Sequence, residues 1–434
     1  MRRREKPSKL GQISQAHQSS QLRPKRSCVY RRPAQVFADI FGPVDLDRLA
    51  MSPLGRLVPI LGPDPVTHEL VEGQAFLPAP LPIDITLSTP TWTAVNGATA
   101  ALARLDGAAR LIPNPGLLRR PALRREAQST SALEGTFAPF ADVLAADEDD
   151  RGNMSAELRE VLNFERTAEL AFSWPEDRPL TLGMLGELQR TLVRGTAGEL
   201  SDAGGLRDRI VVIGARGRHF EEARFVPPPD GHQLRAEVEA LLAWIENPPP
   251  IPTVVQAAMT HYQFETLHPY SDGNGRLGRL LVIVQLLRGA LIHEPLLIVS
   301  PWFERRREQY QDSLLELSCT GEWDRWIAFF AEGVEASATG SQIRVEGLAS
   351  LQEDLRGRVQ AAGKRGVSER LAADLVGLPF LTRADVVKRY RLSGQGAINV
   401  INTLVELGIL QDAGFSSRGG RVFIAPEVVD LVSL

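Results

Sequence analysis

Two cysteines in 434 residues, Cys28 and Cys319, exclude a disulfide framework and fit a reducing compartment, the cytoplasm. No apolar stretch reaches the roughly 18 to 20 uninterrupted residues of a membrane span. The longest, "LLVIVQLLRGALI", is too short and is broken by Arg288, so it reads as a buried core helix. Net charge is only −4, which argues neither for nor against a nucleic-acid partner. There is no internal repeat. The 43% hydrophobic and 24% charged residues are those of an ordinary globular protein, and the length suggests two or three domains.

The modest net charge hides an asymmetry. "MRRREKPSKLGQISQAHQSSQLRPKRSCVYRR" is strongly basic and lacks periodic apolar residues, so it reads as disordered, and everything after it is acidic. It could touch nucleic acid or serve targeting. Met51 opens the more protein-like sequence, and an alternative start there is the competing reading of the leader. From about Pro53 to Pro90 the proline-rich chain should run extended over a surface. Helical spacing follows in "TWTAVNGATAALARLDGAARL", "GLLRRPALRREAQSTSALEGTFAPFADVLAAD", "SAELREVLNFERTAELAFSW" and "TLGMLGELQRTLVRG". "RIVVIGARGRHFEEARFVPPP" has two short apolar runs around a glycine-containing turn, the pattern of a hairpin. Helices resume at "GHQLRAEVEALLAWIEN". Two more are expected between Glu294 and Ala338, then a polar helix from about Gln342 to Gly363. Near the C-terminus, "LTRADVVKRYRLSGQGAINVINTLVELGILQDA" reads as helix, tight turn and helix, and "RGGRVFIAPEVVDLV" as a basic turn and strand. That is the winged-helix pattern. Its second helix has no Arg or Lys for base edges, and only Arg418 and Arg421 mark the wing, so protein packing and DNA contact both stay open.

The densest chemistry lies in "HPYSDGNGRLGR", residues 268–279, between two apolar runs. Pro269 should stop the preceding helix near Leu267. Gly273 and Gly275 permit positive φ, so successive N–H groups can form a concave nest. A helix starting near Asn274 would add its N-terminal dipole, and Arg276 and Arg279, three apart, would reach the same anion. Such a cradle suits a polyphosphate. Asp272 inside it makes sense as the ligand of a Mg²⁺ carried by phosphates, and His268 at its entrance as a general base near neutral pH. Together these groups specify transfer of a phosphate-containing group to a hydroxyl. His261, seven residues before His268 and near the same helical face, could pair with it on a metal, but no third ligand has suitable spacing, so it reads as structural.

The stretch resembles the motif of the Fic family, whose usual members transfer AMP from ATP to a protein hydroxyl. It matches at His268, Pro269, Asp272, Gly273, Asn274, Gly275, Arg276 and Arg279, and departs at Tyr270, where the family has Phe. The Tyr270 ring is expected to pack inward, with its hydroxyl needing a polar partner. "RIVVIG…ARFVPPP" is similar to the flap by which family members hold a target segment through strand addition. "REAQSTSALEGT" resembles the family's inhibitory motif, met by Thr130, Glu134 and Gly135 ahead of the core.

The resemblance implies a mainly α fold: a Fic helical core with a small β-hairpin flap, plus the C-terminal winged helix. The expected parts are residues 1–50, basic and disordered, and 51–115, extended and helical. Then come 116–345, the core with its inhibitory helix, 346–374, a helical linker, and 375–434, the winged helix. By the same resemblance His268 is the base, and Asp272 holds Mg²⁺ on ATP. Asn274 and the nest N–H groups steady the α-phosphate, Arg276 neutralises departing pyrophosphate, and Arg279 holds the γ-phosphate. Glu134 would compete for Arg279. The ATP site is expected to comprise Tyr270, Ser271, Asp272, Gly273, Asn274, Gly275, Arg276 and Arg279, with Tyr310 or Gln311 near adenine. A target protein bound at the flap, self-modification and a homodimer are expected, and no membrane partner. The competing readings are another nucleotide donor, removal of AMP with Glu134 positioning water, or a DNA-binding regulator.

Overall fold

A computed structural model describes residues 44–112, 114–146, 154–175, 177–214, 219–417 and 419–433. The basic leader up to residue 43, Cys28 and Arg418 lie outside the described residues. The chain is mainly helical. A short α1 (Leu46–Ala50) precedes a hairpin of β1 (Gly55–Pro63) and β2 (Leu70–Pro78). Then come α2 (Thr89–Arg110), α3 (Gly116–Leu133), α4 (Phe140–Ala145), α5 (Ala156–Phe172), α6 (Leu182–Val193) and α7 (His232–Glu246). The centre is α8 (Thr253–Leu267) and α9 (Asn274–Arg288), followed by α10 (Ser300–Glu304), α11 (Arg307–Thr320), α12 (Trp323–Ala361) and α13 (Val367–Asp374). The C-terminal part is β3 (Phe380–Thr382), α14 (Arg383–Tyr390), α15 (Gly394–Glu406), β4 (Gln411–Ser417), β5 (Gly420–Ile424) and α16 (Pro426–Ser433). Among the described residues no helix is long and apolar enough to cross a membrane.

α8 and α9 are buried on nearly every side, and carry His261, Gln263, Asn274, Arg276 and Arg279 into the core among apolar residues. α3 packs against α5, α9 and α10, and α2 lies along α12. Side-chain caps define several starts: Ser88 for α2, Ser155 for α5, Thr181 for α6 and Ser393 for α15. Pro121 inside α3 has no N–H for the carbonyl of Leu117. Gly377 fits against that carbonyl, where a Cβ would lie 2.3 Å away.

Three expectations need correction. Residues 53–90 do not simply run extended: β1 and β2 pair antiparallel from Gly55↔Pro78 to Pro63↔Leu70. The hairpin forms because Val58, Ile60, Ala75 and Leu77 bury together with Ile210 and Val226, while its prolines are tolerated in an edge strand. Conversely, among the described residues the expected flap hairpin shows one bridge, Ile213↔Phe225, with a 3-10 turn at Phe220–Glu222. Its backbone groups are engaged elsewhere. Val226 O accepts from Phe76 N of β2, Ala223 O from Val44 N, and the Asp64 carboxylate from Phe220 N. Finally, the polar helix expected from Gln342 is the second half of α12, a single helix of 39 residues. Val334, Ala338, Ser341, Val345, Leu348, Leu355 and Val359 carry one buried stripe through it without a break. Gly333 within it is a packing choice, since a Cβ there would stand 2.8 Å from the Trp302 ring.

After β3, the C-terminal part has the order helix, turn, helix, two strands and a last helix. Its sheet runs β3-β5-β4, antiparallel throughout, with a bulge between Asp412 and Ser416. Thr382 and Asp385 form a reciprocal capping box on α14. α16, which follows β5, packs back on α12.

Candidate active site

The site is the junction of α8 and α9. α8 ends when His268, whose N–H still bonds the carbonyl of Phe264, turns left-handed at φ 46° and ψ 60°. Such a backbone is uncommon for a side-chain-bearing residue. The chain re-enters a helix at Asn274 after Gly273, whose φ of 87° suits glycine and whose Cβ would lie 2.9 Å from Leu192.

Asn274 opens α9 and turns back on the loop that precedes it. Its side chain accepts from Tyr270 N at 2.9 Å and donates to Tyr270 O at 2.7 Å, so it braces the loop. A side chain in the first turn reaches back over the preceding turn, which is why this geometry wins. Ser271 donates to the Asp202 carboxylate. Gly275 is not in the positive-φ region, because it already lies within α9. Its smallness serves a different approach: a Cβ there would be 2.0 Å from Glu134 Oε1. The Tyr270 ring packs inward at 1% exposure, and its hydroxyl has no hydrogen-bond partner among the described residues.

The two arginines of α9 point to separate acidic partners and do not converge on one point. Arg276 donates to Glu160 of α5 at 2.6 Å and to Asp272 at 3.2 Å. Arg279 donates through Nε to Thr130 Oγ1 at 2.7 Å, and through Nη2 to Thr130 O at 3.1 Å and Glu134 Oε1 at 2.6 Å. Glu134 is the residue just after α3, and Gly135, at φ 92°, turns the chain away behind it. Burial raises the cost of charging the Glu134 carboxylate, but the Arg279 guanidinium more than offsets it and holds the group below the usual carboxylate range. Arg279 is likewise held charged against its burial, chiefly by Glu134.

The His268 ring has Nδ1 3.3 Å from Glu265 O. A nitrogen facing a carbonyl carries the proton, which leaves Nε2 as the acceptor. Burial, then the Arg207 charge, pushes the imidazole pKa down to about 4, so the ring is neutral at physiological pH. A cleft of about 140 Å³ opens beside it, lined by His268, Glu134, Arg279, Glu265, Tyr310 and Gln311. Phe225 and Ile213 of the bridged segment form another wall. Tyr310 contributes its ring only, since its hydroxyl bonds His261 Nε2 at 2.7 Å. His261 is buried and aromatic-stacked, with its pKa lowered to about 3 by burial, then by Arg279. Among the described residues no group of three or more His, Cys, Asp or Glu could hold a metal.

Three residues of this site went unnoticed in the sequence. Glu160 is a carboxylate of α5 with no local signal. Arg207, buried at 2% exposure, contacts the backbone of the loop. Glu265 sits one turn before His268, and spacing alone could have found it. Burial pushes its pKa up to about 8, and its Oε1 has no partner among the described residues.

The Fic/DOC family N-terminal model matches residues 92–173, and the Fic/DOC family model matches residues 179–286, which includes the whole loop. The chain thus carries Fic/DOC family domains over these two stretches. A protein named "Probable protein adenylyltransferase" from Aquifex aeolicus (strain VF5) is 32% identical over 94 residues, which is 22% of this chain and 27% of the relative. "Protein adenylyltransferase Fic" of Aedes aegypti is 35% identical over 82 residues, 19% of this chain and 15% of that one. This chain therefore spans about a quarter or less of those relatives' own length. A crystal structure of a Fic family protein from Desulfovibrio desulfuricans G20 superposes with a TM-score of 0.50 at 21% identity. It covers 78% of this chain and 97% of that chain, and the likeness is one of fold.

Proposed function

We propose that this Fic/DOC protein is a protein adenylyltransferase. It would transfer AMP from ATP to a Tyr, Ser or Thr hydroxyl of a target protein or of itself, and Glu134 would restrain it. One observation supports this most directly. A neutral imidazole with Nε2 available stands in the same cleft as a buried Arg279 whose charge is held by Glu134.

In the proposed reaction His268 Nε2 accepts the proton of the target hydroxyl. The freed oxygen forms a bond to the α-phosphorus as the bond to pyrophosphate breaks. Arg276 would neutralise the leaving pyrophosphate, and Arg279 would hold the γ-phosphate once Glu134 lets it go. The N-terminus of α9 adds unpaired N–H groups and a favourable dipole. Asp272 fits Mg²⁺ in the way that cation prefers, as a single, partly exposed carboxylate (32%) with nucleotide oxygens completing the shell. The metal would supply charge neutralisation on the phosphates.

The bridged segment around Ile213 and Phe225 is the natural place for a target peptide, and a cytoplasmic site of action fits the cysteine usage. The proposal is tested by incubating the purified chain with labelled ATP, Mg²⁺ and a lysate. Label on protein from the α-phosphate but not from the γ-phosphate supports it. Label from the γ-phosphate would make it a kinase-like transfer, and no protein label with the Glu134→Gly variant would remove the proposal.

A further inference from the structure

We propose that Arg207 is a positioning residue for the catalytic loop. It ties both ends of the flap segment to the left-handed turn at His268. The role in catalysis rests on the reading above, while the tie itself rests on geometry alone.

The guanidinium is buried and contacts no carboxylate among the described residues. It is spent on four backbone carbonyls: His268 at 2.9 Å through Nε, Arg209 at 3.1 Å through Nη1, and Leu267 at 3.5 Å and Pro228 through Nη2. Its own N–H bonds Pro269 O at 3.0 Å. Arg209 and Pro228 bracket the segment that bridges at Ile213↔Phe225. Leu267, His268 and Pro269 are the end of α8 and the turn itself. One side chain thus joins the wall that would receive a target to the residue that would take its proton.

The chemistry explains why arginine stands here. Only a planar guanidinium offers five N–H donors in a fixed fork, and lysine would leave carbonyls of this cage unpaired. Burying a cation with no carboxylate in contact is costly, and burial lowers its own pKa to about 10, against the opposing charge of Asp230. A position kept at such cost needs a gain, and two are visible. The His268 carbonyl is fixed, which holds a backbone conformation that few non-glycine residues adopt. The positive charge also favours the neutral imidazole. Glu134, Asp272 and the Glu265 carbonyl act in the opposite direction on that ring.

The test uses the full-length protein with Arg207→Met, which keeps bulk and removes charge and donors, and Arg207→Lys, which keeps the charge alone. The His268 ring is titrated by NMR without nucleotide, and transfer is measured with the brake removed by Glu134→Gly. For Arg207→Met the imidazole pKa should rise. For Arg207→Lys it should stay depressed. In both, kcat should fall by about a hundredfold, the scale of a misplaced reacting group, while KM for ATP changes little. Should the Met variant fail to fold, the Lys variant carries the test through the kcat and KM split. A folded Arg207→Met protein whose His268 titrates as in the parent would overturn the proposal, and so would equal kcat in the Lys variant. If the parent itself transfers no AMP, the titration still decides whether Arg207 controls the His268 environment.

Discussion

Substituting Glu134 by glycine should release activity, and its size can be worked from the contact it makes. Glu134 Oε1 lies 2.6 Å from Arg279 Nη2, with the arginine side chain 2% exposed and the glutamate 39% exposed. A hydrogen bond to a charged group contributes roughly 1.5–3 kcal/mol. Solvent on the glutamate side screens part of that, leaving about 1–1.5 kcal/mol. That is the free energy by which the carboxylate competes with a γ-phosphate for the guanidinium, so its removal should raise labelling on the order of tenfold. The assay is incorporation of α-phosphate label into the protein itself and into a lysate, comparing parent, Glu134→Gly, Arg279→Ala and the double variant. Arg279→Ala also frees Glu134 but discards the group that would hold the γ-phosphate, so it should stay inactive, and the double variant should match it. The sign of the pH dependence follows from the lowered Glu134 pKa. The pair is intact above the ordinary carboxylate range and is lost only as pH falls through the depressed folded value. The ratio of variant to parent should therefore be flat from about pH 6 to 9. Labelling that is unchanged or lower in Glu134→Gly would refute the restraint, and a role for Glu134 in aligning water to remove AMP would become the better account.

Further outcomes follow from the same geometry. His268→Ala should keep ATP binding by calorimetry and lose transfer, because the ring touches none of the groups that would hold phosphate; equal loss of both would remove it as the base. The acid limb of kcat/KM should fall below the usual histidine range, since burial and Arg207 depress the imidazole and transfer is lost as pH drops through that value. Asp272→Ala should weaken Mg²⁺-dependent ATP binding, and full binding at ordinary Mg²⁺ would exclude it as the metal ligand. Glu160→Ala leaves Arg276 with Asp272 alone, so Tm should fall, and ATP with Mg²⁺ should raise Tm more than in the parent. An equal rise in both would mean that Glu160 does not influence the phosphate-binding arginine.

The parts of the molecule visible in the sequence were those whose signal is local. α8 stops at Leu267 and α9 starts at Asn274 because Pro269 and Gly273 dictate backbone angles to their neighbours. The helix–turn–helix near the C-terminus was legible for the same reason, with Ser393 capping α15 and Gly408 at positive φ just after it. What failed to show was decided by partners distant in the chain. Whether "RIVVIG…ARFVPPP" forms two paired strands depends on competition for its backbone groups, and Phe76, Val44 and Asp64 take several of them from outside the segment. The hairpin of β1 and β2 was hidden by its prolines, which read as surface signals until the buried face against Ile210 is known.

The same distinction runs through the site. Asp272, Arg276 and Arg279 could be placed on one loop by spacing, but spacing does not say which carboxylate each arginine meets. Arg276 turns to Glu160 and Arg279 to Glu134 because α5 and the end of α3 bring these acids from 116 and 145 residues away in sequence. Gly275 makes the point most sharply. Read locally, it is one more glycine of a nest. In the fold it is helical, and its missing Cβ is the space that Glu134 Oε1 occupies. The residue type was therefore informative and the local reason for it was wrong. A side chain at position 275 would exclude the Glu134 carboxylate before it altered any backbone angle, so the loop's composition already encodes the approach of α3.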